Sequence, residues 1–128
     1  MAEPILDTSV FVDLFRQNPE ADAYIGTRLR SGRLVLHAAV AAELLAGVRN
    51  RTEQRQFDAL SGQARTLFPT EADWALALRL CRAHTRTSGT DWVDCLVAAS
   101  AMRLKAPVAT INEKHFRAIR GLRVVRLY

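Results

Sequence analysis

The chain lacks several features that mark particular classes of protein. It has two cysteines in 128 residues, Cys81 and Cys95, and both lie inside helical patterns without metal-ligand spacing. That usage predicts reduced thiols and a cytoplasmic protein, and it excludes a disulfide scaffold. No apolar run approaches the length of a membrane span, and "MAEPIL" lacks the basic and apolar parts of a signal peptide. The six glycines form no dinucleotide fingerprint or P-loop, which excludes nucleotide-cofactor chemistry.

Lysine is scarce as well, although the chain is basic. Sixteen of its eighteen basic residues are arginine, and its net charge is +5 with a pI near 10.0. A guanidinium group matches the geometry of phosphate, and a basic surface concentrates polyanions around it. Nucleic acid is therefore a favoured partner. An arginine-rich composition can also follow from the base composition of a genome, so the charge does not decide the matter alone.

Short apolar segments alternate with helical patterns along the chain, without a linker or an internal repeat. Such alternation predicts parallel strands with helices on both faces. We therefore expect one domain over residues 1–128, a three-layer α/β/α fold around a central, mostly parallel sheet of four to five short strands. The predicted strands are residues 4–7, 33–37, 108–111 and 122–127. The segment "RTLFP" could be a further strand or a loop.

Two helical patterns carry expectations about packing. The helix that begins at Ala38 is apolar on nearly every side and is expected to be buried. The helix that begins at Thr70 has Trp74, Leu78 and Cys81 on one stripe. We expect this stripe and Trp92 to pack in the core rather than to stack on nucleic-acid bases.

Three acidic residues occupy places that do not suit a solvated carboxylate. Asp7 ends a buried strand, Glu43 is the charge within an apolar helix, and Asp94 lies in the first turn of the most apolar helix. A buried, unpaired carboxylate is costly and normally finds a cation or shifts its pKa. Because sites in open parallel sheets form at the carboxyl ends of the strands, these acids can converge there. Mg²⁺ or Mn²⁺ would offset their repulsion.

Each acid also has an ordinary structural explanation. Asp7, followed by two hydroxyl residues, is a good helix N-cap. Glu43 can lie on a narrow exposed edge, and Asp94 can complement a helix dipole. These alternatives remain open on the sequence, although the joint occurrence of the three acids favours a site.

Five segments follow one another along the chain: "LDTSV", "AAELLAG", "DCLVAASA", "VATINEKHF" and "GLRVV". In this order they resemble the PIN-domain ribonucleases, and in particular the VapC-type toxins of bacterial toxin–antitoxin pairs. The resemblance spans the whole chain. It implies that Asp7, Glu43 and Asp94 bind a catalytic Mg²⁺ or Mn²⁺.

The resemblance also implies supporting residues around the metal. Thr8 or Ser9 would support the site by hydrogen bonds, and Asn112 lies where the family places an Asn or Asp. The sequence departs from the family at His115, where many members have an aspartate, and we expect a surface or supporting role for this histidine. Asp91 can compensate for the missing acid, because it lies one turn before Asp94. It can equally be a helix cap, since Ser88 and Asp91 resemble a capping box.

The function that the resemblance implies is RNA cleavage at a metal-activated water. We expect a homodimer in the bacterial cytoplasm, without membrane association, inhibited by a cognate VapB-type antitoxin that docks on residues 38–64. The candidate RNA-binding arginines are Arg28, Arg30, Arg49 and Arg51. The alternatives are a PIN-like module that binds RNA or protein without catalysis, and a phosphatase.

Overall fold

A computed structural model describes residues 2–128. This part of the chain forms six α-helices, five short strands and one turn of 3-10 helix at Glu113–His115. The helices are α1 (Thr8–Phe15), α2 (Pro19–Arg30), α3 (Ala38–Ala46), α4 (Arg51–Gln63), α5 (Glu71–Ser88) and α6 (Trp92–Leu104). The strands are β1 (Ile5–Leu6), β2 (Val35–His37), β3 (Arg65–Leu67), β4 (Val108–Thr110) and β5 (Val124–Arg126). None of the described helices is long and apolar enough to cross a membrane.

Within the described residues the strands pair in parallel throughout. One hydrogen-bonded set has the order β1-β4-β5, with Ile5 opposite Val108 and Val108 opposite Val124. The other set is β2-β3, and β2 lies beside β1. The predicted three-layer α/β/α architecture is confirmed. "RTLFP" contributes a strand, because Arg65 to Leu67 pair with β2.

The core forms where α6 crosses the sheet. Eight consecutive or near-consecutive residues of this helix, from Val93 to Ala101, are buried, which its apolar sequence predicts. The expectation for α3 was wrong on one face. Ala39, Val40 and Leu44 are buried, but Leu45 is 44% exposed, because no described element covers that side. The segment after Asn112 forms one 3-10 turn, Glu113–His115.

The packing expected for α5 was also wrong. Trp74 is 44% exposed and Leu78 is 67% exposed, whereas Asp73 and Ala77 turn toward the core. Trp92, at the start of α6, is 53% exposed and its ring stacks on Trp74, with centroids 6.2 Å apart and planes 12° apart. These three side chains form an exposed apolar patch, called here the tryptophan patch (Trp74, Leu78, Trp92).

Candidate active site

Asp7 lies at the carboxyl end of β1, where the chain turns into α1. It occupies the N-cap position of α1, but its side chain makes no capping hydrogen bond. Instead, Oδ1 accepts a hydrogen bond of 2.6 Å from the Ser9 hydroxyl. Burial raises the pKa of Asp7, against the hydrogen bonds from Ser9 and Thr110 and the nearby charge of His115, which lower it. The geometry therefore does not use Asp7 as a cap.

Asp94 lies in the first turn of α6, one turn after Asp91. The two form a reciprocal capping box: Asp91 Oδ1 accepts from the Asp94 amide at 2.9 Å, and Asp94 Oδ2 accepts from the Asp91 amide at 3.2 Å. Burial, together with repulsion by Asp91, Asp7 and Glu43, raises the pKa of Asp94 to about 7. Asp91 is an exposed helix cap whose charge reaches the site.

Glu43 reaches the same region from the middle of α3. It lines an open groove of about 500 Å³ together with Thr8, the first residue of α1. Its carboxylate is close enough to Asp94 to raise the pKa of Asp94 by repulsion. The structure thus gathers the three acids that the sequence singled out into one electrostatically coupled cluster.

His115 and Asn112 stand beside this cluster in the turn after β4. His115 Nδ1 lies 3.6 Å from Asp94 Oδ2 and 3.4 Å from Asn112 Nδ2. The turn is anchored by Thr90, a fully buried residue whose hydroxyl donates to the His115 carbonyl at 2.7 Å. His115 is therefore a neighbour of the acids rather than a remote surface residue.

Thr110 is a site residue that the sequence reading did not single out. It is fully buried at the end of β4, lies close enough to Asp7 to lower the pKa of that carboxyl, and accepts a hydrogen bond of 2.8 Å from the Asn112 amide. A signal for it did exist. Leu6 pairs with Ala109, so the residues that follow them, Asp7 and Thr110, emerge together from neighbouring parallel strands.

The candidate RNA-binding arginines occupy two regions. Arg28 forms an ion pair with Glu3 and bonds to the Tyr24 hydroxyl, and Arg30 is exposed near it at the end of α2. Arg49 pairs with Glu53 at 3.0 Å on the rim of the 500 Å³ groove, and Arg51 is exposed at the start of α4. The second region adjoins Glu43.

The chemistry of the donors fits a hard divalent cation. Carboxylates from three elements repel one another, and the charge nearest to Asp7 and Asp94 comes from His115 rather than from lysine or arginine. In the described part of the chain, no three His, Cys, Asp or Glu side chains converge closely enough to enclose an ion as they stand. A hydrogen bond from the Ser9 hydroxyl holds the Asp7 carboxylate, and one from the Asp91 amide holds the Asp94 carboxylate.

Comparison with known proteins agrees with this geometry. The PIN domain family matches residues 5–122. Ribonuclease VapC19 of Mycobacterium tuberculosis is 32% identical over 114 residues, which cover 88% of this chain and 90% of that protein. VapBC2 from Rickettsia felis, solved with a DNA fragment from its promoter, has a TM-score of 0.76 at 19% identity, over 94% of this chain and 96% of that chain.

VapBC-1 from nontypeable Haemophilus influenzae has a TM-score of 0.75 at 24% identity, and it covers 96% of both chains. At such identities the two solved structures establish the shared fold, while the family match and the VapC19 alignment span most of the sequence. The chain therefore belongs to the PIN-domain family, among its VapC-type proteins.

Proposed function

We propose that this protein is a metal-dependent endoribonuclease of the VapC type, which acts as a toxin in the bacterial cytoplasm. The observation that carries the proposal is Asp94, whose pKa burial and three neighbouring acids raise to about 7. A fold gains nothing from gathering acids that repel one another, and a perturbed cluster at the end of a parallel sheet is typical of a functional site. The similarity to ribonuclease VapC19 supports RNA as the substrate.

Asp7, Glu43 and Asp94 would hold Mg²⁺ or Mn²⁺. When bound, such an ion lowers the pKa of its water and neutralises charge on a phosphate. The chain's own residues prepare the site. Ser9 and Thr110 orient the Asp7 carboxylate, and the capping box orients Asp94. Because the carboxylates do not converge as they stand, binding includes their side-chain rearrangement.

RNA would approach over the rim of the 500 Å³ groove. Arg49 lines this groove, Arg51 begins α4 two residues later, and the exposed Arg49–Glu53 pair is weak enough to exchange its carboxylate for phosphate. Arg30 lies farther along, at the end of α2, where a longer strand would reach it. Arg28 is already paired with Glu3, so we give it a smaller part.

A VapB-type antitoxin fits the same groove. Its walls include apolar side chains, Phe15 and Leu44 among them, and its end carries Glu43. A peptide with apolar anchors and one basic side chain would fill the groove and place its cation beside the acids. The groove uses α1 as well as the predicted docking region 38–64. The structural neighbours support this partner, since they were solved as VapBC complexes.

A homodimer is supported by the tryptophan patch. Two half-exposed indoles and a mostly exposed leucine on neighbouring helices are unusual on a monomer surface, and such patches commonly mark protein interfaces. We propose that a second copy covers Trp74, Leu78 and Trp92. Trp92 is two residues from Asp94, so the dimer would bring two acidic sites near one another.

Cleavage of RNA tests the proposed function. With Mn²⁺, the purified chain should cut single-stranded RNA internally, and EDTA or Asp94→Asn should abolish the cuts. A PIN-like binding module would instead bind RNA without cutting it and show no Mn²⁺-dependent rise in melting temperature. Release of phosphate from small phosphomonoesters, with RNA left intact, would identify a phosphatase.

A further inference from the structure

A chain of hydrogen bonds lies outside the acidic cluster, buried at His37, Ser100 and Asp73 and reaching the surface at Arg103. His37 Nδ1 accepts from the Ala39 amide at 3.0 Å, and His37 Nε2 lies 2.9 Å from the Ser100 hydroxyl. Ser100 donates to Asp73 Oδ2 at 2.8 Å. Arg103 then donates to both Asp73 oxygens, at 2.8 and 3.0 Å. We call these four side chains the buried relay (His37, Ser100, Asp73, Arg103).

The relay has one direction of hydrogen donation. Because His37 Nδ1 accepts from a backbone amide, the ring proton is on Nε2 and is donated to Ser100, whose own proton goes to Asp73. Burial lowers the pKa of His37 to about 4, so the ring is neutral at pH 7. Burial alone would raise the pKa of Asp73, but hydrogen bonds from Arg103 and Ser100 outweigh it and hold that pKa at about 2.

Nucleophilic catalysis is excluded, although serine, histidine and aspartate meet here. His37 and Ser100 are fully buried, and Asp73 is 1% exposed, so no substrate reaches the hydroxyl. The hydrogen-bond order also differs from that of a catalytic triad, because Ser100 donates to the carboxylate rather than to the imidazole. The relay therefore acts on the protein itself.

Its position links the two helices that carry Glu43 and Asp94. His37 is the N-cap of α3, six residues before Glu43, and it fixes the first turn of that helix. Ser100 lies on α6, six residues after Asp94. The hydrogen bond between His37 and Ser100 thus joins α3 to α6, which pack on one another directly, and Asp73 ties both to α5.

Folding alone does not require such a device. A buried ion pair with its polar neighbours contributes little more than apolar side chains of the same volume. What a fully satisfied network does supply is a unique arrangement, since a small shift leaves costly unpaired groups. In the described residues every buried side-chain nitrogen and oxygen has a partner, and the relay shares that completeness. Metal coordination has the matching need, because ligands tolerate displacements of only a few tenths of an ångström.

We propose that the buried relay is a positioning device that holds α3 and α6 at the separation at which Glu43 and Asp94 bind one divalent ion together. This inference rests on the proposed metal-dependent function. It assigns His37, Ser100, Asp73 and Arg103 to that function as positioning residues, none of which touches the metal or the RNA.

Two variants break the relay at different places. Ser100→Ala removes the central hydroxyl, and His37→Asn keeps a capping oxygen for the Ala39 amide but is too short to reach Ser100. The measurement is the Kd for Mn²⁺ alone, by electron paramagnetic resonance, without RNA. Both variants should bind Mn²⁺ roughly tenfold or more weakly, as when outer hydrogen-bond partners of a metal site are lost. Ser100→Thr keeps the hydroxyl and should recover affinity relative to Ser100→Ala.

The matched controls are Ile25→Val and Ile25→Ala, because α2 carries none of the acids and Ile25 is buried. Their melting temperatures should bracket those of the relay variants, while their Mn²⁺ affinity stays within twofold of wild type. In saturating Mn²⁺ the relay variants should keep the wild-type KM for RNA, since the arginines are unaffected.

Wild-type Mn²⁺ affinity in Ser100→Ala and His37→Asn would overturn the positioning role and leave the relay a part of the fold alone. Equal losses of Mn²⁺ affinity in the Ile25 controls would also overturn it. A wild-type chain that binds no Mn²⁺ would be a different failure. It would overturn the proposed function itself, and it is seen before any variant is made.

Discussion

Asp7 combines two demands that a carboxylate rarely meets together. It is 4% exposed, yet its nearest partners are neutral hydroxyl groups and one histidine, none of them a permanent cation. Its backbone amide is used by the sheet, since it donates to the Ala109 carbonyl at 3.1 Å. The main chain therefore fixes the residue while the side chain keeps one carboxylate oxygen free of Ser9. That combination suits a metal ligand better than a helix cap.

Replacing Asp7 separates these two roles. Asp7→Asn should leave the metal-free melting temperature unchanged or raise it, because no capping bond is lost and repulsion with Asp94 is relieved. RNA cleavage should fall below detection, and Mn²⁺ affinity should drop. Calorimetry and a cleavage assay on one preparation check both. Wild-type cleavage and wild-type Mn²⁺ affinity in Asp7→Asn would show that Asp7 is not a metal ligand.

The raised pKa of Asp94 predicts a dependence of metal-free stability on pH. The folded pKa of about 7 lies above the ordinary value of 3.8, so the folded state binds the extra proton. The stabilisation is complete below pH 4 and is lost as the pH rises to 7, by at most about 1.4 kcal/mol per pH unit. His37 acts in the opposite sense between pH 4 and 6.5, since burial lowers its pKa from 6.5 to about 4.

Asp94→Asn should make the effect of His37 on the pH dependence of stability visible. In EDTA its free energy of unfolding should rise with pH between 4 and 6.5, whereas in wild type the two terms largely offset each other over that range. Above pH 6.5 the variant should be the more stable protein. Urea denaturation across this range measures the difference, and parallel curves for the two proteins would show that Asp94 titrates normally.

At the scale of single residues, the sequence could predict those candidate site residues that interrupt a local apolar pattern. Asp7, Glu43 and Asp94 stood out because each interrupts an apolar pattern, and the structure gathers them. Asp73 did not stand out, because it obeys a local rule, the capping box with Thr70 at the start of α5. Its burial depends on Arg103, thirty residues away, and no spacing along the chain records that contact.

At the scale of the element, α5 shows why a helical pattern is not enough. Two stripes on this helix are rich in apolar residues, one through Trp74 and Leu78 and another through Ala77 and Leu80. Hydrophobicity favours the first, since tryptophan is larger. The second stripe is the one that packs against α6, because this orientation of α5 lets Asp73 bond to Ser100 and Arg103. The strands and the buried helix α6 needed no such decision, since α6 is apolar almost all round.

The exposed stripe of α5, which contains Trp74 and Leu78, predicts an interface. Leu78→Arg should convert a homodimer into a monomer, because the charge would be buried against a second copy. Its melting temperature as a monomer should change little, since the side chain is 67% exposed. Light scattering after gel filtration gives the mass. Ala83→Arg, also exposed on α5, is the matched control and should stay dimeric. A wild-type chain that is monomeric at high concentration contradicts the interface.

At the scale of the whole molecule, the net charge is positive although the candidate site is acidic. A net charge of +5 would draw RNA toward the proposed site, which would itself repel phosphate until a cation is bound. The fold class could be predicted because alternation of strands and helices is written along the chain. The role of each arginine could not be predicted, because it depends on which of them form ion pairs with carboxylates, as Arg28 does with Glu3.

Salt dependence measures how many arginines reach the RNA backbone. With catalysis blocked by Asp94→Asn, the logarithm of the association constant for single-stranded RNA should fall linearly with the logarithm of salt concentration. The slope should be roughly −0.7 for each phosphate neutralised. Arg51→Ala should reduce the slope by about one such step, and Arg28→Ala by less. A slope near zero would assign the arginines to the fold or to the antitoxin.

The pairing of β1 with β4 also sets when the candidate site is assembled. The Ile5 amide donates to the Pro107 carbonyl at 2.9 Å, yet about 100 residues of synthesis separate the two strands. At about 5–20 residues per second, a ribosome takes roughly 5–20 s to travel that distance. During that interval Asp7 has neither Thr110 nor Asp94 beside it, so the nascent chain holds no complete set of acids. The proposed nuclease would therefore be inactive toward the ribosome and messenger that are making it, and the proposed antitoxin would have until release to bind.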